Sequence, residues 1–515
     1  MRVRSSLINI AAGLGNQIVI TALSFISRTV FINSLGIEYL GINGLFTNLL
    51  AMLTLAEAGI GSSIIYSLYK PVADNDRVTI NKLMRLYRNA YLVIALIVTL
   101  LGLSLLPFLD HVVQNSSVEH VSVIYLIFLL NTVTPYLFSY KNSFLNVSQK
   151  GYIVTLIFTL SSILSTCLKI GILTYTKNYI LFLAIDSVIT LSTAIILTLV
   201  VNNMYPFLRE KVIGRLDSVT KQGIVKNVKA IVLQNTGSYL VLGTENILIS
   251  TFVSVAAVGL YSNYKMLIEI GRTFINQIFS NMYHSIGNLV SQESKEKIYA
   301  VYKVTLMLNF WLYSLFAIVL SVLIQPFITL WIGSQFLMPG SVLVLLLLLF
   351  YERGMRNSIT TVKTTAGIFH QDRYAPLLQA AVCLAVSIML VQTIGIAGVF
   401  IGSLASALAV PFWTTPYLVY RNVFKRPLRE YFLAYLTYTV VGLGAYFMTS
   451  LICRFIPSYG FMAMMAKGTV GFTAVNVLYI ALFYRTDEFG YLLGISRGII
   501  RRLALNRKTK PNMEA

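Results

Sequence analysis

The stretch Lys82–Lys141 reads KLMRLYRNAYLVIALIVTLLGLSLLPFLDHVVQNSSVEHVSVIYLIFLLNTVTPYLFSYK. It holds two apolar runs, with cores at Tyr91 to Leu109 and Val121 to Ser143. Each is long enough to cross a hydrocarbon layer, which takes roughly 20 residues of helix. The polar break between them, around His111 to His120, has no Lys or Arg. The flanks carry Lys82, Arg85 and Arg88 on one side and Lys141 on the other. Basic breaks stay on the cytoplasmic side of a membrane, so this stretch reads as an outward-and-back hairpin.

The same alternation runs from Leu7 almost to Tyr484 and gives about fourteen spanning segments. The first six cores are Leu7 to Ile32, Ile42 to Leu68, Tyr91 to Leu109, Val121 to Ser143, Val154 to Tyr175 and Ile180 to Val201. The next six are Val228 to Phe252, Ala257 to Met282, Tyr302 to Ile324, Val342 to Ala366, Leu377 to Ile394 and Ile396 to Val419. The last two are Tyr431 to Ile452 and Phe461 to Tyr484. With the N-terminus inside, basic residues crowd the inner breaks, and the outer ones hold only Lys177 and Arg454. An even helix number puts both termini in the cytoplasm of a multi-pass inner-membrane protein. Arg2 and Arg4 precede a long first segment, expected to remain as a signal anchor. Pro71, Pro107, Pro135, Pro326 and Pro376 mostly read as helix ends.

Composition agrees. Of 515 residues, 57% are hydrophobic and 11% charged, against about 25% charged in a soluble domain. The net charge of +21 lies in membrane-flanking breaks rather than on one soluble face. That excludes a nucleic-acid reading and points to the anionic leaflet. Cys167, Cys383 and Cys453 lie far apart without metal-ligand spacing. His111, His120, His284 and His370 are isolated. No nucleophile elbow, phosphate loop, zinc signature or dinucleotide fingerprint occurs, so neither an enzyme nor a cofactor is expected.

An internal echo links the two halves. YLGINGLFTNLL from Tyr39 parallels AVGLYSNYKMLI from Ala257, and Pro107-Phe108 parallels Pro326-Phe327. The expected architecture is an all-α polytopic membrane protein. It has two six-helix lobes, residues 1–205 and 206–425, followed by two further helices and a basic tail in 426–515.

Ionisable groups at membrane depth cost about 2.5–3.5 kcal/mol each on insertion scales and need a reason to be there. Arg28 lies in the first segment, Glu57 in the second and Glu245 in the seventh. The eighth carries Lys265, Glu269 and Arg272 on one helical face. The tenth carries Glu352, Arg353 and Arg356, with Glu352 able to pair with Arg356 at a spacing of four. One reading is ion pairs that lock helices together. The other is a wet cavity lined by Arg28, Lys265, Arg272, Arg353 and Arg356, whose guanidinium forks match phosphate oxygens. Lys169 and Asp186 sit on adjacent segments and can pair.

The stretch Leu35 to Pro71, LGIEYLGINGLFTNLLAMLTLAEAGIGSSIIYSLYKP, resembles the bacterial polysaccharide transporter family, the Wzx-type flippases of lipid-linked oligosaccharides. Thr364 to Tyr420, TTAGIFHQDRYAPLLQAAVCLAVSIMLVQTIGIAGVFIGSLASALAVPFWTTPYLVY, resembles it too. The resemblance implies the multidrug/oligosaccharidyl-lipid/polysaccharide exporter fold, with two six-helix lobes in a V plus two C-terminal helices. It implies movement of an undecaprenyl-diphosphate-linked glycan across the inner membrane by alternating access. The destination is O-antigen, capsule or exopolysaccharide. By position, Arg28, Arg272, Arg353 and Arg356 would line the family's cationic cavity. Glu57, Glu245 or Asp186 would take a coupling proton or sodium ion. The expected partners are the lipid-linked glycan, membrane lipids and other glycan-assembly membrane proteins. Rival readings are a cation-coupled multidrug exporter of the same fold, a peptidoglycan-precursor flippase and, from another class, a membrane glycan polymerase or ligase.

Overall fold

The structure, a computed structural model, describes residues 2–57, 59–113, 116–210, 218–292, 294–368, 371–457 and 460–494. His370 and the basic tail from Arg497 lie outside the described residues, as does the side chain of His284. No strand occurs among the described residues. The chain runs through α1 (Arg2–Leu35), α2 (Ile37–Leu53), α3 (Ile60–Ala73), α4 (Arg77–Ser104), α5 (Leu109–Val112), α6 (Val121–Val133) and α7 (Ser139–Val147). Then follow α8 (Gly151–Thr176), α9 (Tyr179–Met204), α10 (Ser218–Phe252), α11 (Val255–Gln292), α12 (Lys295–Trp331) and α13 (Gly340–Met355). The last are α14 (Asn357–Thr365), α15 (Ala375–Ile394), α16 (Ile396–Ala409), α17 (Pro411–Val419), α18 (Arg429–Arg454) and α19 (Phe461–Phe483).

Every expected segment falls on a helix or a broken pair of helices. Among the described residues, nine helices are long and apolar enough to cross a bilayer unaided, and the bent pair α6–α7 makes ten. The other four expected spans are α2 with α3, α10, α11, and α13 with α14. These four carry Glu57, Glu245, the Lys265–Arg272 face and the Glu352–Arg356 group. In α10 and α11 polar content lowers the hydropathy, whereas α2 and α13 are apolar but only 17 and 16 residues long before the chain breaks.

The breaks have local causes. Between α2 and α3 the chain passes through a 3-10 turn, Thr54–Glu57, and then Gly59 at φ +86°, a left-handed conformation that only glycine adopts freely. Pro135 sits in the turn that bends α6 against α7 by 46°. Pro107 lies in a similar turn and Pro376 in the first turn of α15. Pro326 departs from the expectation, because it lies inside α12 rather than at its end. A membrane helix tolerates proline where neighbouring groups satisfy the freed carbonyl. Outside the span, Asp76 caps α4 by accepting the Thr79 N–H at 3.0 Å. The Thr79 hydrogen bonds hold its carboxyl below the usual carboxylate range.

The helices form two compact units, residues 1–263 with 373–406, and 264–372 with 407–515. In the first, α10 packs on α2, α3 and α15. Small residues permit the approach. A Cβ on Gly41 of α2 would lie 2.0 Å from the Val255 carbonyl oxygen, and one on Gly259 of α11 would lie 2.3 Å from that of Ile37. In the second, α12 packs against α13, α14, α18 and α19. Its core holds Tyr302, Phe310, Met355, Tyr431 and Tyr479, all fully or nearly fully buried. Hydrogen bonds pin α19 to α12: Tyr479 donates to Ser314 Oγ at 2.8 Å and the Trp311 indole N–H to Asn476 Oδ1 at 2.9 Å.

The close contact between Gly41 and Gly259 gives a direct test. Gly41→Val and Gly259→Val each lower stability by about 1–3 kcal/mol through overpacking, measured by thermal unfolding in detergent. Gly444→Val, whose added Cβ meets nothing within 4 Å, leaves the melting temperature nearly unchanged.

Candidate substrate and coupling sites

Arg28 lies on α1, a helix with no acidic residue within a turn of it. Its guanidinium Nη1 reaches α11, donating to Asn263 Oδ1 at 3.0 Å and Ser262 Oγ at 3.2 Å. Both acceptors are neutral. Among the described residues no carboxylate forms an ion pair with Arg28, and the groups that meet its charge there are dipoles. Sequence spacing could not reveal this pairing across α1 and α11. The one available signal was Asn263 itself, an amide inside an apolar run and wholly buried.

The other candidate cations are held differently. Arg272 pairs with Glu269 one turn earlier at 2.8 Å, and both are partly exposed. Arg356 and Glu352 form a buried fork, with Arg356 Nη2 donating to Glu352 Oε2 at 3.0 Å and Nε against Oε1. The pairing at four residues therefore forms as expected. Arg353 and Lys265 are half-buried on α13 and α11. Within the second unit, α11 brings Lys265, Glu269 and Arg272 onto one face. The end of α13 gathers Glu352, Arg353 and Arg356.

The acids of the first unit occupy three separate settings. Glu57 stands at the break between α2 and α3 and accepts the hydroxyl proton of Tyr91 from α4. Tyr87, one turn from Tyr91, hydrogen-bonds Ser143 at 3.0 Å and carries the network to α7. Glu245 is 2% exposed. It accepts from Tyr261 at 2.9 Å and from Ser403 of α16 at 3.4 Å. Asp186 is answered by Lys169 at 2.7 Å and by Ser165 at 3.1 Å, and Lys169 also sits over the Phe182 ring. The three tyrosines and Ser403 carried no readable signal in sequence, because an aromatic in an apolar run looks like packing.

The second unit also contains a mainly apolar cavity of about 340 Å³ between α12, α13 and α18. Leu343, Leu347, Leu348 and Leu443 line it, and Gln325 and Tyr351 are among its few polar groups. No group of His, Cys, Asp and Glu suited to a metal ion occurs among the described residues.

The buried fork predicts an asymmetric mutational response. Removing one partner of such a pair strands the other and costs about 3–5 kcal/mol. Glu352→Ala lowers the melting temperature sharply, and Glu352→Leu with Arg356→Met restores most of it. Thermal unfolding of the three proteins in detergent reads the difference.

No protein-family model matches the chain, and no curated protein matches it in sequence. Solved structures do match. The lipid II flippase MurJ, in an inward closed conformation, aligns over 93% of this chain and 100% of its own, with a TM-score of 0.62 and 14% identity. A variant of the Vibrio cholerae MATE transporter VcmN aligns over 82% of this chain and 99% of its own, with a TM-score of 0.57 and 16% identity. An inward-facing multidrug resistance MATE family transporter of the MOP superfamily aligns over 78% and 94%, with a TM-score of 0.55 and 14% identity. The chain is an all-α multi-pass membrane protein with the fold that these transporters share.

Proposed function

We propose that this chain is a flippase that carries an undecaprenyl-diphosphate-linked oligosaccharide across the bacterial inner membrane by alternating access, for assembly of a surface polysaccharide. Arg28 carries the reading. It is a guanidinium at membrane depth whose hydrogen-bond partners among the described residues are an amide and a hydroxyl. Such a group keeps its net charge for a diphosphate, whose oxygens it can grip in bidentate fashion. The fold of a lipid flippase over 93% of the chain supports the same reading.

Arg353 and Lys265 stand next as candidate contacts to the anionic head group. Arg272 and Arg356 are engaged by Glu269 and Glu352, so they serve the substrate only if those carboxylates let go. The cavity beside α18 suits part of a polyprenyl tail, since most of its exposed wall is apolar, with Ile318, Leu343, Val344, Leu347, Leu348 and Leu443 along it. A coupling proton or sodium ion is best assigned to Glu245. Its carboxylate is buried with hydroxyl donors aimed at it, an arrangement that a cation or proton can exploit. Asp186 is occupied by Lys169 and reads as structural. A cation-coupled multidrug exporter is the second reading, favoured by the MATE transporters among the structural matches.

The test is complementation of a strain lacking the chain. Arg28→Ala abolishes surface glycan while its membrane level stays normal, and Arg28→Lys restores part of it. Glu245→Gln slows export and flattens its dependence on external pH. Full glycan in the Arg28→Ala strain overturns the assignment. Intact glycan with new sensitivity to cationic dyes in the deletion strain selects the multidrug reading.

A further inference from the structure

Three cations meet at one end of the first unit without an acid among them. Lys141 of α7 is half-buried and donates to Asn202 of α9 at 2.9 Å. α4, which carries Arg88, packs against α7 and against the Pro206–Arg209 turn that ends in Arg209, and both guanidiniums act on the Lys141 ammonium. Both guanidiniums are exposed, and neither forms an ion pair or hydrogen bond among the described residues. Glu210 is exposed beside Arg209 and pairs with none of the three.

The cluster is held in place by its scaffold rather than by chance rotamers. Asn81 of α4 donates to the Phe207 carbonyl at 2.8 Å and so anchors the turn. Arg77 sits over the Phe207 ring at 5.4 Å and Lys150 over Tyr205 at 5.1 Å. Three like charges brought together this way repel one another, and the one neighbouring carboxylate, Glu210, pairs with none of them. An external anion supplies a counter-charge.

The surroundings identify its kind. Arg88 heads a stripe on α4 at four-residue spacing, Leu92, Leu96 and Leu100. These are 46%, 59% and 58% exposed and face outward from the protein. A basic cluster at a helix end with an open apolar stripe below it has the two-part character of a lipid: phosphate above, acyl chain below. Arginine beside aromatic rings is also the arrangement expected at the head-group level.

We propose that Arg88, Lys141 and Arg209 form a binding site for the phosphate head group of an anionic glycerophospholipid, with an acyl chain laid along Leu92 and Leu96. The site is independent of the transport assignment, because no residue placed in the substrate or coupling sites contributes to it.

Native mass spectrometry of the full chain released from detergent reads the site. Phosphatidylglycerol and phosphatidylcholine of matched acyl chains serve as probes. Phosphatidylglycerol is retained and phosphatidylcholine is not. The triple variant Arg88→Gln/Lys141→Gln/Arg209→Gln weakens phosphatidylglycerol binding by about a hundredfold, at about fivefold per cation. The control Arg421→Gln/Lys425→Gln/Arg429→Gln leaves it unchanged. If the triple variant does not fold, the exposed single changes Arg88→Gln and Arg209→Gln each show a loss of about fivefold. Equal retention of both lipids, equal loss in the control, or undiminished binding in the variants overturns the proposal. Preferential retention of undecaprenyl phosphate at these three residues also overturns it, by reassigning the cluster to a polyprenyl lipid.

Discussion

An ionised side chain within a hydrocarbon layer must have its field answered by groups a few ångströms away, since no bulk water is present to do it. The protein meets this demand in three ways, and the difference sets what each charge can do next. The Glu352–Arg356 fork and the Lys169–Asp186 pair cancel charge against charge. Glu57 and Glu245 are answered by hydroxyl donors. Arg28 is answered by an amide and a hydroxyl, which solvate the cation without neutralising it. A cancelled pair holds helices in register. A charge held only by dipoles retains its attraction for an ion of opposite sign, which is the property the proposed head-group contact needs.

The same demand bears on the four spans that are either polar, as α10 and α11 are, or broken, as α2–α3 and α13–α14 are. A carboxylate or guanidinium lowers the hydropathy of its segment, and a helix break exposes backbone groups that hydrocarbon cannot satisfy. At the α2–α3 break the Thr54 hydroxyl donates to the Ala51 carbonyl at 2.7 Å, and the Ser63 N–H bonds the Gly59 carbonyl at 3.0 Å. These local bonds let the chain turn where Glu57 meets Tyr91. The imperfect spans are therefore the ones that place chemistry.

Much of the helical framework was readable because it rests on run length and the position of basic breaks, both one-dimensional quantities. The pairs Glu269–Arg272 and Glu352–Arg356 were readable because helical spacing fixes their geometry. Lys169–Asp186 was readable because consecutive segments are neighbours. Partners drawn from distant helices were not. Nothing in the order of residues says that Ser262 and Asn263 face Arg28, or that Tyr91 meets Glu57, because both depend on how helices rotate about their axes when packed. Helix breaks fell between these cases. Gly59 and Pro135 announce theirs, whereas Gly354, two residues before the break at Arg356, does not, because glycine is common within membrane helices, and Val342 to Ala366 reads as one unbroken span.

The glycine contact between α2 and the start of α11 has a mechanical result. With the Val255 and Ile37 carbonyls pressed against bare Cα positions, these two helices cannot slide past each other and travel as one piece. Compliance must then reside at the adjacent joint, where Gly59 turns left-handed. From there α3 extends over 14 residues, a lever of about 21 Å at 1.5 Å per residue. A pivot of about 10° at that joint displaces the far tip by about 4 Å.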